Sequence, residues 1–480
     1  MLLAGTAATA GSAPAPPHLS LASASPAADD TLTAAPTEIR LSLTEAVNPA
    51  LATLSLTGPE GEIGLADPER GETGQVVVVR ILDGIRPGRY TVFWRVVGAD
   101  GHPVAGELEW VVAEGAEGLA PARPSGEGVD SAALGPLQSG DASASREREQ
   151  FGFDTGSPGY VLIRWVTFAA LLGVLGAACY NLLVLPLAWR RAGLRAGTGT
   201  YGRSSSTVGL IAAVLLLVAA FARLAAQSFA VHGTGAAFDP DRVGVLLSGT
   251  LWGTGWILQV TAGLIAAFAF LAGRRGGPRA RVVAALAALV LAFTPALSGH
   301  AAAVERLAPL PILADGLHVL AAGAWLGTLL VLLLVAVRPR VRAQQPEHLP
   351  LRSLVEAFSA TALLFATVLV ATGVVSAAFH LPSIPALWES RYGRVLLLKG
   401  GVLLPVFATG AYNWLRVRPA VSDGAGVASL RRSGWTELAV ATLVLLVTAV
   451  LVATPTPQPA PAESAAVHTP TGPAETPAAP

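Results

Sequence analysis

Two pairs of histidine and carboxylate residues in this sequence have the spacing of metal ligands. Asp100 and His102 lie two residues apart in an Asp-Gly-His-Pro string, which follows an alternating stretch from Tyr90 to Val97. Asp315 and His318 lie three residues apart inside an apolar stretch, so a helix would place both on one face. The alternative for the first pair is a simple turn, in which the aspartate bonds its own backbone.

Sulfur ligands are almost absent from the chain. Cys179 is the single cysteine and lies in an apolar stretch, and Met1 is the single methionine. One cysteine allows neither a disulfide framework nor a thiolate metal site. A metal site must therefore use His, Asp, Glu or backbone groups, and this donor set favours Cu(II) over a thioether-bound Cu(I).

Most of the chain that must hold these ligands is apolar. Of the 480 residues, 52% are hydrophobic and 13% are charged, and the formal net charge is zero. This composition places much of the chain in a lipid bilayer and gives no basic surface for a nucleic acid. Eight apolar runs are long enough to predict an all-α bundle of transmembrane helices. They are roughly Gly159 to Leu187, Thr207 to Ala230, Leu246 to Ala272, Val282 to Leu297, Ile312 to Val337, Phe358 to Phe379, Val395 to Leu415 and Leu438 to Ala453.

Arginine is concentrated in alternate loops of this bundle. The loops after the first, third, fifth and seventh runs are arginine-rich, whereas the other loops mix acidic and basic residues. By the positive-inside rule, the arginine-rich loops are cytoplasmic and both chain termini lie outside a multi-pass cell membrane protein.

The predicted bundle comprises residues 158–453. The segments before and after it are less apolar and are predicted to lie outside the membrane. Residues 18–114 contain short alternating runs between Pro, Gly and Asp clusters, which predict an all-β sandwich of the immunoglobulin-like or cupredoxin-like kind. Residues 1–17 resemble a weak or truncated export signal. Residues 115–157 have the composition of a flexible linker, and residues 454–480 that of a disordered Pro/Ala-rich tail. The five predicted strands are Glu38 to Leu43, Ala52 to Leu56, Gln75 to Ile81, Tyr90 to Val97 and Glu107 to Val112.

The sandwich segment resembles the copper resistance protein CopC. The resemblance is carried by Tyr90-Thr-Val-Phe-Trp-Arg, by Asp100-Gly-His-Pro, and by His18 ahead of a Ser-Pro-Ala turn. It implies a Cu(II) site formed by the imidazole and α-amine of His18 with the side chains of Asp100 and His102. It also implies that Glu45 orients one of these ligands.

The membrane segment resembles the copper resistance protein CopD, and CopC–CopD fusions are a known architecture. The matching strings contain Gly299-His300, Asp315 with His318 and Trp325, Tyr392 to Lys399, and Gly410 to Asn413. In the predicted topology, His300 follows the fourth helix on the outer side and Asp315 and His318 begin the fifth. We therefore expect these three residues to form a second copper site, in which the carboxylate beside the imidazole fixes the ring tautomer.

The other polar residues at this outer end could have roles other than copper binding. His232 and His380 could be solvated loop residues. Arg164 and Arg223 could extend to the membrane surface or pair with Asp315, and Lys399 could be a structural counter-ion.

The sequence thus predicts a copper importer or delivery protein that is not an enzyme. Its partners would be copper ions, the lipid bilayer and a copper-dependent enzyme or chaperone. No Walker or aspartyl-phosphate motif is present, so ATP does not drive transport directly. Two alternatives remain: a haem or electron-transfer membrane protein, since paired histidines can ligate haem, and a copper sensor or chaperone that transports nothing.

Overall fold

The computed structural model describes residues 19–98, 101–118, 156–194, 199–298, 309–337, 349–420, 424–454 and 456–457. Three predicted ligands, His18, Asp100 and His300, lie outside these ranges. The predicted leader, nearly all of the linker and nearly all of the tail also lie outside them.

Nine strands, counted within residues 19–98 and 101–118, form the two sheets of the N-terminal domain. One sheet has the strand order β1-β3-β7-β6 and the other the order β2-β9-β8-β4-β5. The strands are β1 Leu21–Ser25, β2 Thr31–Ala34, β3 Glu38–Leu43, β4 Thr53–Gly58, β5 Gly61–Ile63, β6 Glu69–Arg70, β7 Val76–Arg80, β8 Gly88–Val97 and β9 Pro103–Glu117.

Alternation along the strands builds the core of this sandwich. Every second residue of β3 is buried, and Ile39 and Leu41 meet Leu56, Val77 and Trp110 between the sheets. This is the pattern of a two-sheet sandwich with one face of each sheet in the core. The last strand runs to Glu117, three residues beyond the predicted boundary at 114.

Among the residues that the structure describes, eight helices are long and apolar enough to cross a membrane. We call them spans 1 to 8: Pro158–Arg191, Thr200–Gly233, Leu251–Gly273, Pro278–Leu297, Pro309–Val335, Leu351–His380, Arg391–Ala420 and Gly426–Ala453. The predicted fold class, an all-β domain followed by a bundle of eight transmembrane helices, is confirmed.

The helices differ from the predicted runs mainly at their ends. Leu246, the predicted start of the third helix, belongs instead to a short separate helix, Pro240–Ser248. Span 3 begins after Thr250, whose hydroxyl accepts a hydrogen bond from the Gly253 amide at 2.9 Å and so caps the helix. The eighth helix begins more than a turn before Leu438, because backbone hydrogen bonding continues through polar residues that end an apolar run.

Span 1 lies in the middle of the bundle and packs closely against span 5. A Cβ atom built on Gly176 would lie 2.0 Å from the carbonyl carbon of Gly327, so only glycine allows this backbone contact. Three spans contain short π-helical segments, which are often found at functional sites. These segments are Tyr180–Val184, Gly323–Gly327 and Asn413–Val417.

Candidate functional site

His102 lies at the end of the β8–β9 hairpin. The last strand pair is Val97 with Pro103, and the Gly98 amide donates to the His102 carbonyl at 3.1 Å. Gly101 has a φ of 79°, the left-handed conformation that glycine adopts without strain. The long hairpin therefore presents His102 in a tight turn at one end of the sandwich.

Other positions of the predicted CopC-like site lie at the same end. Val47 forms a β-bridge with Gly98, which brings Glu45, two residues earlier, to the His102 end. The Ser20 amide donates to Thr44 Oγ1 at 2.9 Å, so the chain just after His18 runs beside Glu45. The described residues thus bring Glu45 and His102 to one end of the domain.

The His102 turn rests directly on the helical bundle. The Gln227 side chain, from span 2, donates through Nε2 to the carbonyl oxygen of Gly101. The Arg95 side chain, which points out of β8, donates to the carbonyl oxygen of Ala230. The two domains also share an apolar cluster. Its buried members are Leu51 and Val97 from the sandwich and Val231, Leu246, Trp252 and Trp256 from the bundle.

A buried polar layer lies under this contact. Tyr160 donates its hydroxyl to Gln227 Oε1, and Arg164 lies over the Tyr160 ring with its carbon Cζ 4.7 Å from the centroid. Arg223 is 6% exposed, lies over the Trp252 ring and donates to Ser298 at 3.3 Å. The described contacts of the two arginines are thus with Tyr160, Trp252 and Ser298.

Asp315 and His318 share a face of span 5, as their spacing predicts, and this face packs on span 6. Asp315 Oδ1 accepts a hydrogen bond from Ser376 Oγ at 2.6 Å. His318 Nδ1 lies 3.2 Å from Thr372 Oγ1. Lys399 of span 7 interacts electrostatically with both Asp315 and His318.

The Thr372 hydroxyl favours one tautomer of His318. Its oxygen lies 2.7 Å from the Val368 carbonyl oxygen, and a hydroxyl that donates there can accept the hydrogen of His318 Nδ1. The other ring nitrogen, Nε2, then carries the lone pair that a metal ion needs. The expectation that Asp315 fixes this tautomer is wrong, because Asp315 bonds Ser376 instead.

Neither predicted copper site is complete within the described residues. In these ranges, no group of three His, Cys, Asp or Glu side chains comes together to hold a metal ion. The first site needs His18 and Asp100, and the second needs His300, all of which lie outside the ranges. The donors that are described, imidazole and carboxylate, suit Cu(II). No described contact joins His102 to the Asp315–His318 pair, since the sandwich rests on spans 2 and 3.

His380 and His232 have ordered surroundings rather than those of solvated loop residues. His380 Nδ1 lies 2.6 Å from the Ser376 carbonyl oxygen, and its ring stacks on Tyr392. His232 is buried at the end of span 2.

Sequence reasoning gave no role to two buried polar residues of the bundle. One is Gln227, whose only signal is a lone amide in an apolar run. The other is Glu437, a buried carboxylate of span 8 that pairs with Asn413. The sequence gives no signal for Glu437, because the eighth apolar run begins at Leu438, one residue after it.

Comparison with known families covers both domains. The CopC domain family matches residues 21–113, the copper resistance protein D-like N-terminal domain matches residues 154–308, and the copper resistance protein D family matches residues 352–451. The copper transport protein CutJ of Bacillus subtilis (strain 168) is 24% identical over 447 residues, which are 90% of this chain and 73% of CutJ. Protein YobA of Escherichia coli (strain K12) is 37% identical over 97 residues, which are 20% of this chain and 78% of YobA.

Solved structures similar to the N-terminal part of the chain include a PcoC and a CopC. PcoC, a methionine-rich copper resistance protein from Escherichia coli, is 28% identical; the match covers 20% of this chain and 98% of PcoC, with a TM-score of 0.19. CopC from Methylosinus trichosporium OB3b is 28% identical; the match covers 20% of this chain and 94% of that protein, with a TM-score of 0.18. The family matches and their order along the chain identify it as a multi-pass membrane protein that belongs to the copper resistance and transport family, a fusion of a CopC domain with a CopD domain.

Proposed function

We propose that this protein imports copper across the cell membrane and delivers it inside the cell. The sandwich would capture Cu(II) outside with His18, Asp100 and His102, and the bundle would accept it at Asp315 and His318 together with His300. Both chain termini lie outside in this proposal, and the protein catalyses no reaction. The delivered copper would pass to a copper-dependent enzyme or chaperone.

The observation that carries this proposal is the docking of the His102 turn on the bundle. The Gly101 carbonyl oxygen, one residue from His102, accepts the Gln227 hydrogen bond. Copper held in this turn would enter the protein at a bundle surface rather than in open solvent. The buried layer of Tyr160, Arg164 and Arg223 lies directly below.

The chemistry of the Asp315–His318 pair supports its role as the acceptor. His318 presents Nε2 as a ready ligand atom, because Thr372 accepts the hydrogen of Nδ1. Lys399 balances the charge of Asp315 while no metal is present, so the carboxylate is not left as an isolated charge in the membrane. Arriving copper would compete with this ammonium group, which favours a site that binds copper only transiently.

Copper flux into proteoliposomes tests the proposal. The full-length protein should accumulate copper when Cu(II) is added outside, and His318→Ala should abolish accumulation while the sandwich still binds Cu(II). His468→Ala, a histidine in the C-terminal tail sequence, is the matched control and should transport like the wild type. A wild-type protein that reconstitutes in the membrane and moves no copper would refute the importer, and normal flux in His318→Ala would remove the bundle site.

A further inference from the structure

A buried carboxylate with no cationic partner lies in span 8. Glu437 is 2% exposed, and its Oε2 accepts a hydrogen bond from Asn413 Nδ2 of span 7 at 2.9 Å. The Trp325 side chain of span 5 interacts with the same carboxyl group. Among the described residues, no lysine, arginine or histidine forms an ion pair with Glu437. The copper sites proposed above do not use this group.

Two opposing effects act on the charge of Glu437. Removal from water strongly disfavours the ionised carboxylate. The hydrogen bond from the Asn413 amide favours it, as does the polar edge of the neighbouring Trp325 side chain. A group on which these effects oppose each other can gain and lose a proton, whereas a carboxylate paired with lysine or arginine is held in its ionised form.

Within the described ranges, no other titratable group contacts this carboxyl; Arg416 and Arg418, on the end of span 7 that packs against span 8, form no ion pair with Glu437. Span 7 contributes Asn413 and Gly410, and span 5 contributes Trp325. Span 1 meets span 8 through Trp165 at the Thr442 carbonyl and through Arg164 at the Ala449 carbonyl. The Arg164 contact is twelve residues further along the helix, about 18 Å from Glu437.

The partners of Glu437 sit in irregular helix. Trp325 belongs to the π-helical segment Gly323–Gly327, and Asn413 begins the π-helical segment Asn413–Val417. Such segments re-aim side chains and are frequent at functional sites. The Asn413 Oδ1 atom is buried and accepts no hydrogen bond, so one polar atom beside the carboxyl is unsatisfied.

Trp325 also connects this group to the proposed copper acceptor. It lies seven residues after His318 in span 5, which is about 10 Å along a helix. Glu437, which contacts Trp325, therefore lies near the same stretch of span 5 as the acceptor, and charges act over longer distances in a medium of low polarity than in water. Copper at Asp315 and His318 would therefore favour the ionised form of Glu437, and a protonated Glu437 would favour the copper-free site.

We propose that Glu437 is a proton-exchanging site that couples copper passage to proton movement in the opposite direction. One proton from the water inside binds a carboxyl oxygen of Glu437 when the acceptor site is empty, and the same proton leaves to the water outside as copper passes inward. This inference rests on the proposed function, because it assigns the coupling ion of the same transport cycle.

The test compares Glu437→Gln with the matched control Glu356→Gln. Glutamine keeps the size of the side chain and a hydrogen-bonding oxygen but binds no exchangeable proton. Glu356 lies on span 6 and pairs with Arg352 at the surface, so its replacement leaves the buried cluster intact. Infrared difference spectra of the purified full-length protein, recorded as Cu(II) is added, should show the loss of a protonated carboxylic acid band in the wild type and in Glu356→Gln. This band should be absent from Glu437→Gln.

A second measurement follows protons directly in proteoliposomes that contain a pH-sensitive dye. Copper entry should drive proton exit in the wild type, and this proton movement should be lost in Glu437→Gln. If the wild type moves copper and Glu437→Gln moves protons as the wild type does, the inference about Glu437 is wrong. The proposal that the protein imports copper is unaffected by that result. If the wild type moves no copper, the proposed function is refuted instead. The infrared band would then still show whether Glu437 loses a proton when Cu(II) is added.

A third variant guards against misfolding of Glu437→Gln. Trp325→Phe retains the aromatic ring that stacks on Phe407 and removes the indole N–H beside Glu437. The infrared band should shift in this variant, because the carboxyl group loses a donor. An unshifted band would show that it does not arise from Glu437.

Discussion

Replacing Gln227 by leucine should weaken the docking of the sandwich on the bundle. Leucine has nearly the same volume but cannot donate to the Gly101 carbonyl, the one described hydrogen bond between the His102 turn and span 2. The Gln227–Tyr160 hydrogen bond lies wholly within the bundle, so it is lost equally in the docked and undocked states and cancels. Only the interdomain bond changes the docking equilibrium. A net hydrogen bond contributes about 1 kcal/mol, so the ratio of docked to undocked protein should fall about fivefold.

Spin labels on the two domains measure this equilibrium. Leu82 on the sandwich and Phe238 after span 2 are exposed positions for the labels, and the buried native Cys179 will not react. Gln227→Leu should broaden the distance distribution toward long distances. Gln259→Leu is the matched control, because the buried Gln259 amide makes no described hydrogen bond. A distribution unchanged by Gln227→Leu would show that this bond does not hold the sandwich in place.

Two further substitutions test the bundle. Gly176→Ala places a methyl group against the backbone of span 5 and should lower the stability of the protein by about 1–3 kcal/mol. The measurement is the midpoint of thermal unfolding in detergent. The control Gly401→Ala, whose methyl group meets no atom within 4 Å, should not lower this midpoint. Equal midpoints would contradict the close packing of spans 1 and 5. Thr372→Val removes the acceptor of the His318 Nδ1 hydrogen and should weaken copper binding at the bundle site about 10- to 100-fold. Thr367→Val, at an exposed position on the same helix, should leave binding unchanged, and equal affinities in the two variants would refute the tautomer assignment.

Local patterns in the sequence predicted the elements of the fold well. Alternation identified β3 with the bounds Glu38–Leu43 that the structure has. Apolar length identified all eight spans, because a bilayer requires about 20 apolar residues in each crossing helix. The four remaining strands were missed since they are short or lie at sheet edges, where burial imposes little alternation.

The sequence predicted the site only where its residues are neighbours in the chain. Asp315 and His318 were placed on one face because helical periodicity fixes that relation. The partners that orient them, Ser376 and Thr372, come from another helix, and no local pattern encodes which helices touch. The burial of Glu437 was not predicted for a related reason. A charged residue ends an apolar run in the sequence, whereas Glu437 is buried because Asn413 of another span supplies a hydrogen bond.

The docking of two domains that belong to one polypeptide has a consequence for stoichiometry and competition. Because the sandwich is covalently attached, its encounter with spans 2 and 3 is intramolecular, and linked modules meet at effective concentrations that reach the millimolar range. A few hydrogen bonds and a small apolar cluster can then keep the docking surface occupied. A separate soluble CopC protein would have to approach that concentration to displace the attached domain. Fusion therefore reserves each bundle for its own sandwich in a fixed ratio of one to one, whatever the cell's expression level.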